Sequence, residues 1–278
     1  MIFMYFYHIY NHQYNKLYYE FFEKIVDYIK IAKSDESTTG FPNAETGCNN
    51  AMKSFEYYFT DKKRAKIICK EFIKLYNSLD DCKSTSNSDP HRKCSKFLNY
   101  WINFKLGEIM QNDDKSFCNV YNSIESQFTG GSEIVLNLSF IYHIDKDELD
   151  KMSILYRLYK NYTDLDGILE NAANDVKVKS LSLSTACCKD YLEARYICDT
   201  SKNNSGSRFC EKLKDFKSKY DQLDGKVNKQ GSDFSNYFIK LSECPNNQII
   251  TTAVTGSIVG LIPLFGILYK VSELYIKQ

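Results

Sequence analysis

Residues Cys82 to Leu106 read CKSTSNSDPHRKCSKFLNYWINFKL, and this stretch decides the fold class. A cysteine closes one apolar run, and the polar segment Ser84 to Ser88 follows. Asp89-Pro90 then opens a helix, with Asp as N-cap and Pro in the first turn, where its missing N–H costs nothing. Cys94, Phe97, Leu98, Trp101 and Ile102, with Ile109 beyond, recur at spacings of three and four, which is the face of a helix. The stretch therefore reads as helix, short loop, helix, with a cysteine on each side of the loop.

The same periodicity runs outward in both directions. Ala65, Ile68, Cys69, Phe72, Tyr76 and Leu79 form one stripe after Asp61. Tyr18, Phe21, Phe22, Ile25 and Ile29 form another near the amino terminus. Phe117, Tyr121, Ile124 and Phe128 mark a shorter helix stopping at Gly130-Gly131, and Leu149, Met152, Tyr156 and Tyr159 mark the next. Leu181 to Cys198 reads as helix, and Phe209, Leu213, Phe216, Tyr220 and Leu223 give the clearest stripe of all. Only Ile134 to Ile144 has strand character, and Ser34 to Thr46 reads as a polar loop around Gly40 and Pro42. Four Pro and twelve Gly in 278 residues argue against a β architecture. The expected fold class is all-α. Gly130-Gly131 and the region Thr163–Val178 are the candidate internal boundaries.

Ile249 to Tyr269, IITTAVTGSIVGLIPLFGILY, carries no charge between Glu243 and Lys270. At about 1.5 Å per residue such a helix reaches roughly the 30 Å of a bilayer core. The competing reading is a buried core helix, which usually carries charge on one face. The division expected is a helical ectodomain over residues 1–245, a transmembrane helix over 246–270 and a short cytoplasmic tail over 271–278. Gly256 and Gly260 fit the spacing of self-associating membrane helices, although Gly is common in any such helix. The aromatic amino terminus lacks the basic and small-residue features of a signal peptide and reads as the start of the folded part.

All ten cysteines precede the span. On one side of an anchor they read as a disulfide-bearing ectodomain; the alternative is a reduced domain with buried thiols. Cys82 and Cys94, and again Cys198 and Cys210, stand at helix ends with eleven residues between them, where a bridge would close a helical hairpin. Spacing alone does not fix connectivity. Cys187 and Cys188 are neighbours, so they reach two partners or one stays free.

Site chemistry is sparse. His91 and Cys94 are the only close His/Cys pair and no CxxC accompanies them, which argues against zinc. No phosphate-binding glycine loop and no nucleophile elbow occurs, so no enzyme, no metal and no cofactor is expected. The acidic groups Asp80-Asp81, Asp113-Asp114 and Asp145/Asp147/Glu148 fall at turns and helix starts, where carboxylates suit the helix dipole. Lys62-Lys63-Arg64 reads as a solvated face. The net charge of +1 gives no field that would draw nucleic acid. Three sequons, at Asn137, Asn161 and Asn203, permit glycosylation.

In order, AKIICKEFIKLYNSLDDC, HRKCSKFLNYWINFKLGEI, ACCKDYLEARYIC, SRFCEKLKDFKSKYDQL and a Cys-Pro before the span resemble the Plasmodium interspersed repeat (PIR) family. The nearest likeness is to its Vir-type variant proteins. The most specific piece is Cys94, Leu98, Asn99, Tyr100 and Trp101, and the resemblance runs from about Phe55 to Tyr269. It implies a variant surface antigen of a malaria parasite, displayed on or in the infected red cell membrane or in exported parasite compartments. It implies a host-cell receptor or antibody as partner, and immune evasion as the role. The chain departs from the family in the short KVSELYIKQ after Tyr269 and in lacking an Arg-x-Leu-x-Glu signal. Ser34–Thr46, Lys83–Ser88 and Ser201–Ser205 are the candidate variable loops. The rival reading is an intracellular membrane-anchored trafficking or scaffold protein, which the disulfide state would separate from the first.

Overall fold

Ser88, not Asp89, caps the helix that follows the Cys82 loop: its hydroxyl accepts from the His91 backbone N–H at 3.4 Å. Asp89 then lies inside the first turn and reaches Arg92 and Lys93. The computed structural model describes residues 18–36, 42–53, 55–83, 88–110, 114–128, 138–170, 176–200 and 207–244. Its helices are α1 (Ile25–Glu36), α2 (Pro42–Lys53), α3 (Lys62–Ser78), α4 (Asp89–Gly107), α5 (Asp114–Phe128), α6 (Lys146–Glu170), α7 (Val176–Thr200), α8 (Arg208–Asp221) and α9 (Leu223–Lys229). Among the described residues there is no β-sheet, only an isolated bridge between Phe59 and Met110. The fold is all-α.

The long antiparallel neighbours α6 and α7 form the spine. Helices α1, α4 and α8 pack on α6, while α3 joins α1, α2 and α4, and α5 packs on α2. The apolar stripes face one continuous core. All six residues of the Ala65 to Leu79 stripe are buried, as are Phe209, Leu213, Phe216, Tyr220 and Leu223. Burying each large side chain contributes about 1.5–3 kcal/mol, so Phe209, Leu213, Phe216 and Tyr220 on α8 outweigh any propensity of its Lys-rich remainder. Trp101 is buried against Phe72, with ring centroids 6.2 Å apart.

Two expectations in this part of the chain change. The amino-terminal stripe is not one helix: Glu20–Glu23 is a 3₁₀ turn and α1 starts at Ile25. Ser34 to Thr46 is not a single loop, because α1 runs to Glu36 and α2 begins at Pro42, a residue suited to a first turn. Within the region Thr163–Val178, α6 continues to Glu170 and α7 begins at Val176. In α2 the chain comes very close to α5. A Cβ on Gly47 would lie 2.6 Å from the Phe128 ring.

The described part of Ile134–Ile144 is not a ladder strand. It runs as a turn and then extended chain, pairing with side chains of α4. Tyr142 N–H donates to Asn99 Oδ1 at 3.0 Å, and Ile144 N–H donates to Asn103 Oδ1 at 3.1 Å. Asn103 Nδ2 donates to the Tyr142 carbonyl at 3.0 Å.

No helix among the described residues is long and apolar enough to cross a membrane. The span Ile249–Tyr269, the tail, the Gly130-Gly131 boundary and the loop Ser201–Ser205 lie outside the described residues.

Candidate functional site

Four helices converge beside Trp101. From α1 comes Lys33, from α3 Arg64 and Lys74, from α4 Lys105, and from α6 Arg157 and Lys160. They line a cleft of about 610 Å³. Its aromatic lining is Trp101, Phe104 and Tyr156, and the Lys105 ammonium lies 5.6 Å from the Trp101 ring centroid. Glu71 is the single carboxylate among the described lining residues, 3.3 Å from Arg64. Lys33 pairs with Asp164. Lys105 and Lys160 have no ion pair among the described residues.

Phe104 and Arg157 also line a second, larger cleft of about 1010 Å³. Its charge is the reverse: Glu108, Asp145, Asp150 and Glu193 outnumber Lys146 and Arg157. Arg157 donates to Asp190 Oδ1 from Nε at 3.1 Å and Nη2 at 3.0 Å, and to Glu193 at 3.2 Å. Burial works against its charge, but these carboxylates overcome it and hold its pKa above the ordinary value. A fixed cation thus stands in the wall between a basic and an acidic hollow. In the larger cleft, His143 lies against Phe117 at 4.9 Å and the Ser153 hydroxyl donates to the Leu149 carbonyl at 2.7 Å.

Eight of the cysteines are joined in four disulfides. Cys82 is bonded to Cys94 and Cys198 to Cys210, with Cα separations of 5.3 and 5.8 Å. Two further bridges were not read from the sequence. Cys48–Cys69 pins α2 to α3, and Cys188–Cys244 ties α7 to the last described residue. Cys187 is a buried free thiol whose pKa is pushed well up by burial, with Asp190 adding to the effect. Cys118 is free and exposed. Cys94 is therefore committed to sulfur, and the His91 ring lies 3.2 Å from the Asp81 carbonyl. Among the described residues no group of His, Cys, Asp and Glu could hold a metal ion.

Of the sequons, only Asn161–Thr163 lies wholly within the described residues. It sits inside α6, with Thr163 buried and donating to the Tyr159 carbonyl at 2.7 Å, a poor setting for a glycan. Helix periodicity identified the Trp101 face, but nothing in the sequence marked Lys33, Arg64, Lys105 and Lys160 as neighbours. They lie on four helices, and only the packing brings them together. No family model, curated protein or solved structure matches the chain.

Proposed function

We propose that the chain is a membrane-anchored display protein whose disulfide-framed helical domain faces the oxidising side of the membrane. The observation that carries this reading is the Cys188–Cys244 bridge. Cys244 precedes the charge-free run at Ile249 by five residues, a reach of at most roughly 18 Å of extended chain. The bridge fastens that membrane-proximal end to α7, so the domain stands close over the bilayer and does not swing on a tether. In the chain-entropy model its 56-residue separation is worth about 4 kcal/mol, and the two 12-residue separations about 3 each. That investment makes sense only where disulfides persist.

The resemblance to the PIR family supports a narrower version: a variant surface antigen of a malaria parasite, displayed at the infected red cell membrane, with binding rather than catalysis as its work. The absence of a catalytic constellation from the sequence motifs favours binding, as do the two open, charge-lined clefts. Alkaline carbonate extraction combined with protease digestion of intact cells tests the proposal. The chain should stay in the membrane fraction and its helical domain should be cut from outside. Release by carbonate would overturn the anchor, and a domain protected in intact cells would favour the internal scaffold reading.

A further inference from the structure

We infer that the cleft beside Trp101 is a binding site for a small, multiply charged oxyanion, a phosphate or sulfate ester. The inference does not depend on the membrane reading. The whole chain is nearly neutral, with 36 Lys and Arg against 35 Asp and Glu. Among the described lining residues, this cleft gathers Lys33, Arg64, Lys74, Lys105, Arg157 and Lys160 against Glu71. Gathering like charges costs free energy through mutual repulsion, and the described carboxylates nearest these cations are already engaged. Glu71 lies on Arg64, Asp164 on Lys33, and Asp190 and Glu193 on Arg157. Lys105 and Lys160 have no carboxylate partner among the described residues. They are positioned to meet anionic oxygens from a ligand.

The geometry narrows the ligand. At about 610 Å³ the cleft falls in the range of small-molecule sites, roughly 300–1,000 Å³. The cations come from α1, α3, α4 and α6, so they surround the hollow rather than forming a strip along one helix. A surrounding arrangement favours a ligand with several charged groups over a single anion. Trp101, Phe104 and Tyr156 supply an apolar surface for its carbon scaffold, and Lys105 is held over the Trp101 ring rather than swinging free. The acidic cleft beyond Phe104 and Arg157 would repel the same ligand, which confines it to one side of that wall.

Trp101 is the only tryptophan of the chain, so its emission reports occupancy of this cleft directly. The experiment titrates the full chain in non-ionic detergent with sodium tripolyphosphate and, separately, with sucrose octasulfate. Calorimetry gives the affinity and Trp101 fluorescence gives the location. Saturable binding of at least one probe with a Trp101 response is expected, weakening as salt is raised. Lys105→Gln/Lys160→Gln should weaken it at least tenfold. Lys105→Arg/Lys160→Arg should retain it, and Lys214→Gln/Lys217→Gln on α8, which does not line the cleft, should leave it unchanged. Binding of tripolyphosphate alone assigns phosphate esters, and binding of the octasulfate alone assigns sulfate esters. No saturable binding of either probe, binding without a Trp101 response, or equal affinity in the Gln double variant would overturn the inference.

Discussion

Asn103 donates its side-chain amide to Asn99 Oδ1 at 3.1 Å, one helical turn back, and the two buried amides together serve as the missing partner strand for Tyr142 and Ile144. Both are almost fully buried, so neither could be spared its hydrogen bonds. Removing the Asn103 amide strands the Ile144 N–H and one acceptor at Tyr142. An orphaned buried group costs about 1–3 kcal/mol, so Asn103→Ala should lower unfolding stability by about 2–4 kcal/mol. Asn49→Ala, which loses only an exposed 3.4 Å contact with Glu45, should cost less than about 0.5 kcal/mol. Urea unfolding of both variants checks this, and equal stability would remove the ladder from the account.

Gly47 on α2 gives a prediction of opposite sign to helix propensity. Gly→Ala inside a helix ordinarily gains about 1 kcal/mol. Here the new Cβ would meet the buried Phe128 ring at 2.6 Å, and overpacking of this kind costs about 1–3 kcal/mol. Gly47→Ala should therefore destabilise. Combined with Phe128→Leu it should cost less than the sum of the two single variants, since the smaller side chain makes room. Additive costs in the double-mutant cycle would show that α2 and α5 do not pack as described.

The two free thiols should differ sharply in reactivity. Cys118 is exposed, whereas Cys187 is buried and its thiolate is disfavoured by that burial. Iodoacetamide at neutral pH should label Cys118 in the native chain and should reach Cys187 only after unfolding without reductant. Labelling of Cys187 in the native chain would contradict its placement between α7 and the Leu158 carbonyl.

The helix faces were legible in the sequence because burial imposes a period of 3.6 that survives without knowing the neighbours. Phe209 to Leu223 shows this plainly. The Asn99–Asn103 ladder was not legible, although Asn99 lies within the most distinctive run of the chain. A buried amide breaks no periodicity, and its partner is a segment some forty residues away. The same segment looked like a strand because it is extended, but its hydrogen bonds go to side chains. Helix α2 was missed for a different reason: its buried positions are the small or sulfur-bearing Ala44, Cys48, Ala51 and Met52, in a stretch otherwise polar. Of the disulfides, the two hairpin pairs could be proposed from local spacing. Cys188–Cys244 could not, since it depends on where the carboxy-terminal turns settle against α7.

Acid should weaken the contact between the Glu20–Glu23 turn and α4 before it unfolds the core. The hydrogen bond from Lys93 holds the Glu23 carboxyl below its usual range; burial opposes the shift, the Lys93 and Lys212 charges reinforce it and the Asp89 charge opposes it. A lowered carboxylate contributes stability that is full above its unfolded value, about 4.3, and is lost as pH falls through the lower folded value. Lys93 is raised by Asp89 and Glu23, so its contribution is full below its ordinary value and fades only as pH rises through the higher folded one. Lys93→Met should therefore flatten the stability profile between about pH 5 and 3 relative to the parent chain. Superimposable acid limbs in thermal melts would rule this contact out as a source of the pH dependence.

Non-reducing peptide mapping of the full chain, alkylated in denaturant without reductant as it is extracted from its native membrane, tests the central claim most directly. The account predicts a Cys188–Cys244 peptide together with Cys82–Cys94, Cys198–Cys210 and Cys48–Cys69, and alkylation of Cys118 and Cys187 alone. Alkylated, unpaired cysteines at all eight bridge positions would contradict a domain displayed on the oxidising side of a membrane.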